Sequence, residues 1–252
     1  MRKNLSTKQI EKYSRQIVLK NVGIIGQKKI LDSSVLVVGA GGLGCPVIDY
    51  LSRAGVGLIG IIDYDKVDAS NIHRQSIYTY KDIGKYKVEV LKRKLKDINP
   101  DVKTKIFKSK ITNKNANKIL KQFDIIVDGS DNFKTKFLLN QFARKLKKTF
   151  IVGAISRYNG HVFSFNFKSN NEACLKCFYQ SDVNEEALNC ETDGILGPVA
   201  GMVGNMQANE VLKNILKLKN QLRDKILIID LLNLSFRQAN FSKKKNCVCG
   251  ER

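Results

Sequence analysis

Several residue types are scarce in this 252-residue chain. It has no tryptophan, only 2 histidines and 3 prolines, and 23 acidic residues stand against 44 basic ones. No apolar run approaches the roughly 18 residues that indicate a transmembrane helix, and the N-terminus lacks the apolar stretch of a secretory signal. We therefore expect a cytoplasmic protein with no membrane segment, built as one large domain or as one domain with a small lobe.

What the chain has in excess is positive charge, with a formal net charge of +21. Three explanations are open: a biased composition with solvated lysines, electrostatic steering of an acidic protein partner, and nucleic-acid binding. The lysines are scattered over expected helix faces and loops rather than gathered in one stripe. A nucleic-acid partner is therefore the least favoured of the three.

One stretch near the start of the chain predicts a βαβ unit. Val35–Val38 is a short apolar run of the kind that forms a buried parallel strand. The glycine-rich segment 39–44 follows at once and leads into an expected helix that ends at about Ala54. A second apolar run, Leu58–Ile62, ends in Asp63. This order of strand, glycines, helix, strand and acid is the G-x-G-x-x-G fingerprint of nucleotide-binding folds.

The glycines and the acid each have a predicted role in that site. Glycine lets the backbone turn sharply and lets a phosphate approach the main chain at the N-terminus of the helix. Four glycines can serve in this way, namely Gly39, Gly41, Gly42 and Gly44. Asp63 is expected to accept hydrogen bonds from ribose hydroxyls. The fingerprint alone would favour NAD as the nucleotide.

Polar residues just beyond Asp63 favour a different nucleotide. Four of them crowd at the expected mouth of the site: Asp65, Asn71, Arg74 and Gln75. An arginine there suits a multiply charged phosphate chain. The segment from Asp63 to Gln75, with D-Y-D followed by S-N-I-H-R-Q, resembles the MoeB/ThiF branch of the ubiquitin-activating superfamily. The resemblance implies ATP as the nucleotide, with Asn71 supporting the phosphate chain.

Three further motifs of that family occur in order along the chain. Tyr13–Ile17 matches Y-x-R-Q-I, Gly84–Glu89 matches G-x-x-K-V-E, and Asp128–Asn132 matches D-x-x-D-N. The resemblance implies that Arg15 reaches the nucleotide site of the neighbouring subunit in a homodimer. It also implies that Lys87 contacts the triphosphate. From residue type and position alone, both would be surface residues.

The D-x-x-D-N motif directly follows an expected buried strand at 123–128, where open α/β sheets bind their ligands. The resemblance implies that Asp131 and Asn132 belong to the nucleotide site. It further implies that Asp131 holds Mg²⁺, because an acid beside a triphosphate needs a cation. The alternative is that Asp131 caps a helix expected over about 133–147, and both roles are compatible.

Four cysteines form two close pairs, Cys174–Cys177 as C-x-x-C and Cys247–Cys249 as C-x-C. In a cytoplasmic chain such pairs indicate a metal or redox site rather than structural disulfides. Four thiolates suit a tetrahedral, structural Zn²⁺. The resembled family holds its zinc through two C-x-x-C pairs, so the second pair departs from the pattern. A disulfide or a metal-free site is the alternative.

Two cysteines stand apart from those pairs. Cys190 lies in the segment Asn189–Ile195, which matches the N-C-x-x-x-G-[IV] pattern where the family has a candidate acceptor cysteine. The resemblance implies a role for this thiol in sulfur transfer or a thioester in some members, and a dispensable thiol in others. Cys45, in the first turn of an apolar helix, is expected to be a packed core residue.

The fold predicted from these patterns is α/β, with a Rossmann-like, mostly parallel sheet flanked by helices and a smaller antiparallel lobe that carries the zinc site. The other expected elements are helices at about 6–20, 86–98, 113–122 and 194–216 and strands at about 102–107, 149–154, 160–167, 225–230 and 235–241. The spacing of small residues in the helix at 194–216 indicates close packing, within the subunit or at a dimer interface.

The resemblance implies ATP-dependent adenylation of the C-terminal glycine of a ubiquitin-like sulfur-carrier protein. Such a carrier is MoaD- or ThiS-like, ends in Gly-Gly and serves molybdopterin or thiamine biosynthesis. The residues expected to take part in the chemistry are Arg74, Lys87, Arg15 of the partner subunit, Asp131 and Cys190. One adenylation domain over 1–252 is expected, with a nucleotide-binding half at about 1–155 and a carrier-binding, zinc-holding half at about 156–252.

Other functions remain open at this point. The same fold could activate a peptide or another small acid, or dehydrate a modified tRNA. An NAD(P)-dependent oxidoreductase and a catalytically silent binding module are the candidates from other classes. Because the chain ends soon after the second cysteine pair, we expect no appended rhodanese domain of the kind that larger relatives carry.

Overall fold

Eight strands join in a single sheet within the residues that the computed structural model describes, 4–168, 172–179, 194–245 and 247. In chain order they are β1 (Ser34–Val38), β2 (Leu58–Ile62), β3 (Lys103–Phe107), β4 (Ile125–Asp128), β5 (Thr149–Ser156), β6 (Asn159–Asn166), β7 (Lys225–Asp230) and β8 (Ser235–Asn240). The spatial order is β3-β2-β1-β4-β5-β6-β7-β8. Strand β3, predicted at about 102–107, lies at one edge of the sheet.

The helices of the described residues precede the first strand or connect later ones. They are α1 (Thr7–Lys12), α2 (Ser14–Ile17), α3 (Gly23–Asp32), α4 (Gly44–Ala54), α5 (Lys87–Ile98), α6 (Ala116–Leu120), α7 (Phe133–Lys145), α8 (Leu175–Phe178) and α9 (Gly197–Leu216), with 3₁₀ turns at Ala69–Asn71 and Tyr80–Asp82. No helix in this part of the chain is long and apolar enough to cross a membrane.

The sheet changes character part-way across. Strands β1 to β5 pair in parallel, whereas β6, β7 and β8 pair in antiparallel fashion. The prediction of a mostly parallel α/β fold with an antiparallel part is confirmed. The antiparallel strands continue the same sheet rather than forming a second one, because β6 pairs with β5 along its whole length.

Helices cover both faces of the central, parallel part of the sheet, so strands β1, β2 and β4 are buried on both sides. Val35 and Val37 of β1 pack in a core formed with α4, α5 and α9. Leu36 and Val38 point the opposite way, into a core formed with α6, α7 and α8. The unbroken apolar run at the start of the βαβ unit is therefore explained by burial on two faces.

The N-terminal segment differs from the single helix expected over 6–20. Ser6 forms the predicted capping box with Gln9, but helix α1 ends at Lys12. The backbone of the next residue, Tyr13, leaves the helical region at φ −103°, ψ 13°. The ring of Tyr13 is buried, with its hydroxyl accepting a hydrogen bond from Asn99 at 2.9 Å. A Cβ on Gly55 would lie 2.6 Å from that ring. Docking of Tyr13 in the core thus breaks the helix in two.

Helix α6 is also shorter than the helix expected over 113–122. Asn115 closes a loop before it, accepting a hydrogen bond from the Thr112 amide and donating one to the Lys110 carbonyl, each at 2.8 Å. This local side-chain bonding competes with the helix and delays its start until Ala116.

Helices α4 and α9 pack closely because glycine removes a side chain at their contact. A Cβ on Gly204 would lie 2.4 Å from Pro46 Cγ and 2.6 Å from the Leu43 carbonyl oxygen. A Cβ on Gly201, three residues earlier on the same helix, would meet no described atom within 4 Å. The small-residue spacing seen in the sequence therefore serves packing within the subunit at Gly204.

We predict opposite effects for alanine at these two glycines. Gly204→Ala should destabilise the protein by roughly 1–3 kcal/mol, since α9 must move away from α4 to admit a methyl group. Gly201→Ala, the matched control, should be neutral or stabilise by up to about 1 kcal/mol, because alanine is the better helix former. Urea unfolding measures both, and equal midpoints for the two variants would contradict the close contact.

Candidate functional site

A cleft of about 1230 Å³ opens at the carboxyl ends of the parallel strands. The loops that follow β1, β2, β3 and β4 line it, together with the end of β5. The chain leaves β1 toward β2 on one side and returns to β4 on the other. Such a reversal of strand order is where open α/β sheets bind ligands.

The glycine-rich loop after β1 forms the floor of the cleft. Gly39 has φ +92°, and a Cβ there would lie 2.7 Å from the Gly129 carbonyl oxygen. A Cβ on Gly44 would lie 2.0 Å from the Gly39 carbonyl oxygen. No other residue fits at these two positions, because the loop turns directly into α4 while the end of β4 packs against it. Gly41 and Gly42 line the open side.

Asp63 is held in place by the backbone around it. Its carboxylate accepts hydrogen bonds from the amides of Ala40 and Asp65, each at 2.7 Å. Burial raises the pKa of Asp63, and the two amide hydrogen bonds and Lys87 oppose this rise. The acid at the end of β2 therefore braces the glycine-rich loop and also lines the cleft.

Lys87 is not the surface lysine that its position in a first helical turn would indicate. It is only 5% exposed, and its Nζ lies 3.1 Å from Oδ2 of Asp65. The backbone of the two residues is also joined, since the Lys87 amide donates to the Asp65 carbonyl at 3.0 Å. The ammonium group is thereby held at the wall of the cleft.

Arg74 and Asn71 lie on the turn that follows β2. The Arg74 guanidinium donates to the Ser70 carbonyl at 2.8 Å and lies 2.8 Å from Nε2 of His73. Asn71 completes the capping box of the 3₁₀ turn, whose N-cap is Asp68, by accepting a hydrogen bond from the Asp68 amide at 3.2 Å. Both line the cleft, so this asparagine also organises the loop that carries the arginine.

Asn132, and not Asp131, caps the helix after β4. The Asn132 side chain accepts a hydrogen bond from the Thr135 amide at 2.9 Å, so the alternative of Asp131 as the cap is wrong. The Asp131 carboxylate is exposed on the wall of the cleft and accepts a hydrogen bond from Nδ2 of Asn132 at 3.1 Å. Capping by its neighbour leaves Asp131 directed to the site.

Sequence reasoning missed a buried ion pair beneath this loop. Lys136 and Asp128 are 2% and 0% exposed, and Nζ of Lys136 lies 3.1 Å from Oδ2 of Asp128. A signal was present, because Lys136 shares the inward face of α7 with apolar Phe133, Leu139 and Ala143. A lysine on an apolar helix face requires a buried partner.

Arg15 lies away from the cleft of its own subunit. It is exposed on α2 and is not among the described residues that line the cleft. Its neighbour Gln16 fastens this segment to the fold by donating to the Ala54 carbonyl at 3.2 Å.

Three of the four paired cysteines come together on the face of the sheet that α6, α7 and α8 cover. The sulfur atoms of Cys174, Cys177 and Cys247 all lie within 4.8 Å of one another. The Cys174 sulfur is 3.8 Å from that of Cys247 and 3.9 Å from that of Cys177. These separations far exceed the roughly 2.05 Å of a disulfide. Cys249, the fourth expected ligand, lies outside the described residues.

The other two cysteines are Cys190 and Cys45. Cys190 also lies outside the described residues. Cys45 is fully buried, as expected of a core residue, and burial raises the pKa of its thiol to about 12. A thiol with so high a pKa is not a nucleophile at neutral pH.

Comparison with known proteins identifies the family. Residues 13–250 match the ThiF family. The chain belongs to the ThiF family. The resemblance to the MoeB/ThiF branch noted from the motifs is thereby confirmed over almost the whole chain.

Two relatives show how the chain compares in length. It is 37% identical over 248 residues to a sulfur carrier protein adenylyltransferase of Thermus thermophilus, covering 96% of this chain and 92% of that protein. It is 40% identical over 246 residues to the adenylyltransferase and sulfurtransferase MOCS3 of Culex quinquefasciatus, covering 97% of this chain. The match covers 56% of that MOCS3 protein, so the chain spans little more than half of its length.

Solved structures share the fold. The crystal structure of Escherichia coli MccB with MccA-N7isoASN superposes with a TM-score of 0.84, covering 98% of this chain and 76% of that one. At 22% sequence identity this similarity shows a shared fold and nothing about function.

Proposed function

We propose that this member of the ThiF family is an ATP-dependent adenylyltransferase that activates the C-terminal glycine of a ubiquitin-like sulfur-carrier protein. One observation carries the proposal. A single cleft brings together the glycine-rich loop, the acid Asp63 at the end of β2, two cationic side chains, Arg74 and Lys87, and the exposed carboxylate of Asp131. The name of the Thermus relative gives the same reaction and class of substrate.

The proposed reaction forms an acyl-adenylate. A carboxylate oxygen of the terminal glycine attacks the α-phosphorus of ATP and forms a new P–O bond. The bond from the α-phosphorus to the bridging oxygen breaks, and pyrophosphate leaves with that electron pair. The attacking carboxylate is already ionised, so no base is needed. Catalysis then depends on positive charge at the phosphate oxygens, which Lys87 and Arg74 are placed to provide.

Asp131 is proposed to bind a divalent cation. Mg²⁺ takes oxygen ligands and is usually bound through one or two carboxylates together with substrate phosphates. This wall of the cleft is suited to Mg²⁺, because Asp131 presents a carboxylate there. When bound, Mg²⁺ would neutralise phosphate charge, while Gly42 lies under the nucleotide and Asn132 orients Asp131.

The cysteine cluster is proposed to hold a structural Zn²⁺, with Cys249 as the fourth ligand. Sulfur atoms bound at about 2.3 Å to one tetrahedral zinc lie roughly 3.8 Å apart. The separations of 3.8 Å and 3.9 Å between the described sulfurs agree with that value. Such a site would tie the C-terminal segment to α8, in the half of the chain proposed to bind the carrier.

Arg15 is proposed to act in the partner subunit of a homodimer. It is remote from its own cleft, and a two-fold interface would make two equivalent composite sites. Four apolar side chains close to Arg15 in the chain are exposed in the single subunit: Val18, Leu19, Ile24 and Ile25. Exposed apolar groups of this kind mark protein interfaces.

The first prediction tests the reaction itself. Lys87→Ala should fold but lose carrier-dependent ATP–pyrophosphate exchange by a factor on the order of 10²–10³, because one charge contact to the transition state is removed. Lys85→Ala, which removes an exposed lysine two residues away, is the matched control and should keep its activity. Full activity in folded Lys87→Ala would exclude this lysine from the mechanism.

The second prediction concerns zinc. Protein prepared without chelator should contain about one Zn²⁺ per chain, and Cys247→Ser should lose most of it because a three-cysteine site binds more weakly. Cys190→Ser serves as the control and should retain the metal. Metal analysis of the unaltered protein decides the matter, and an absence of zinc there would mean that the C-x-C departure has abolished the site.

The third prediction concerns assembly. Homodimers of Arg15→Ala and of Asp131→Ala should each be nearly inactive. Mixing them with full subunit exchange should restore up to about one site in four, because half of the dimers are mixed and each has one intact site of two. Exchange assays before and after mixing provide the measurement. Complete subunit exchange without any recovery would rule out action of Arg15 across the interface.

A further inference from the structure

All three N–H donors of the Lys136 ammonium group bind acceptors within the protein. An ammonium has three N–H donors, and three acceptors surround this one. Nζ lies 3.1 Å from Oδ2 of Asp128, 2.7 Å from the carbonyl oxygen of Ser130 and 2.7 Å from that of Gly153. Although Lys136 borders the cleft, it has no donor left for a phosphate. Its role must therefore be internal.

The bonds of Lys136 and Asp128 converge on the residue before Asp131. Ser130 is bound through its carbonyl by Lys136, and its amide and hydroxyl donate to Oδ1 of Asp128 at 2.9 Å and 2.5 Å. On the other side, Asn132 is tied to α7 by its cap. Asp131 thus stands between two residues whose backbone is fixed, while its own carboxylate is exposed.

The same pair is joined to the opposite face of the sheet. Gln207 of α9 donates to the Asp128 carbonyl at 2.8 Å, and its side chain occupies the space that a Cβ on Gly153 would need. The end of β4 is therefore bonded from α7, from β5 and from α9. Pairing with Lys136 also balances the charge of Asp128, so that the turn presents only the Asp131 carboxylate to the cleft.

We propose that Lys136 is a positioning residue that fixes the turn 128–131 and thereby holds the Asp131 carboxylate where the nucleotide-bound divalent cation is received. This inference rests on the proposed function in one respect, the cation site at Asp131. The bland alternative is that the buried pair only stabilises the fold. The positioning role and the purely structural role predict different results for a variant that lacks both charges, because such a variant leaves no buried charge unpaired.

The test uses the double variant Asp128→Asn with Lys136→Met, which removes both charges together and so leaves none unpaired. Binding of Mn²⁺ in the presence of a non-hydrolysable ATP analogue is measured by electron paramagnetic resonance, below the unfolding temperature. Loss of a residue that orients a metal ligand weakens metal binding by about 10- to 100-fold. The double variant should show such a loss, so that its Mn²⁺ affinity approaches that of Asp131→Ala. Excess Mg²⁺ should restore part of the exchange activity of the double variant.

Two controls separate positioning from stability. Leu95→Ala truncates a buried side chain of α5 that does not line the cleft. It is expected to be less stable without touching the turn, and it should bind Mn²⁺ as the unaltered protein does. Lys136→Arg keeps the charge and its donors and should largely retain Mn²⁺ affinity. If the methionine variant does not fold, Asp128→Asn with Lys136→Gln replaces it, since it keeps a polar group in the buried space.

The outcomes are distinct. A folded double variant with unaltered Mn²⁺ affinity would overturn the proposal and leave Lys136 a purely structural residue. The measurement needs no carrier protein. If the unaltered protein failed to catalyse carrier-dependent exchange, the proposed function would fail, while the Mn²⁺ affinities would still decide the role of Lys136.

Discussion

The close approach of two strand ends is the constraint on which the site depends. The loop after β1 must turn into α4 within a few residues while the end of β4 packs against it. Contacts of 2.0 Å and 2.7 Å for a Cβ at Gly44 and Gly39 leave room for glycine alone. A side chain at Gly39 would push the two loops apart, and one at Gly44 would force open the turn into α4, so either would disrupt the floor of the cleft.

Two buried lysines beside the cleft, Lys87 and Lys136, have different roles. Lys87 is buried up to its ammonium, which meets the half-exposed Asp65 at the wall of the cleft. Lys136 is enclosed with Asp128, and its donors are all used within the protein. The first arrangement holds a cation ready for a ligand, whereas the second orders the loop that carries an acid. Burial of each lysine beside a carboxylate avoids the large penalty of an isolated buried charge.

The two halves of the chain are bound together by one sheet and one long helix. Strand β6 pairs with β5 along its length, so the antiparallel part cannot move independently of the parallel part. Helix α9 packs on α4, covers the glycine-rich loop through Ala200 and reaches Asp128 through Gln207. A segment from the second half of the chain therefore helps to shape a site whose motifs lie in the first half.

Much of this protein was determined by local sequence. The βαβ unit, the glycines and Asp63 could be predicted because each depends on short-range spacing and on the ends of parallel strands. The roles expected of Arg74, Lys87 and Asp131 came from the resemblance of their motifs to the MoeB/ThiF family. The tertiary structure decided what depends on contacts between distant segments. It broke the N-terminal helix at Tyr13 by docking that ring against Gly55 and Asn99. It paired Lys136 with Asp128 and merged the antiparallel strands into one sheet. Such contacts follow from packing, which no local pattern encodes.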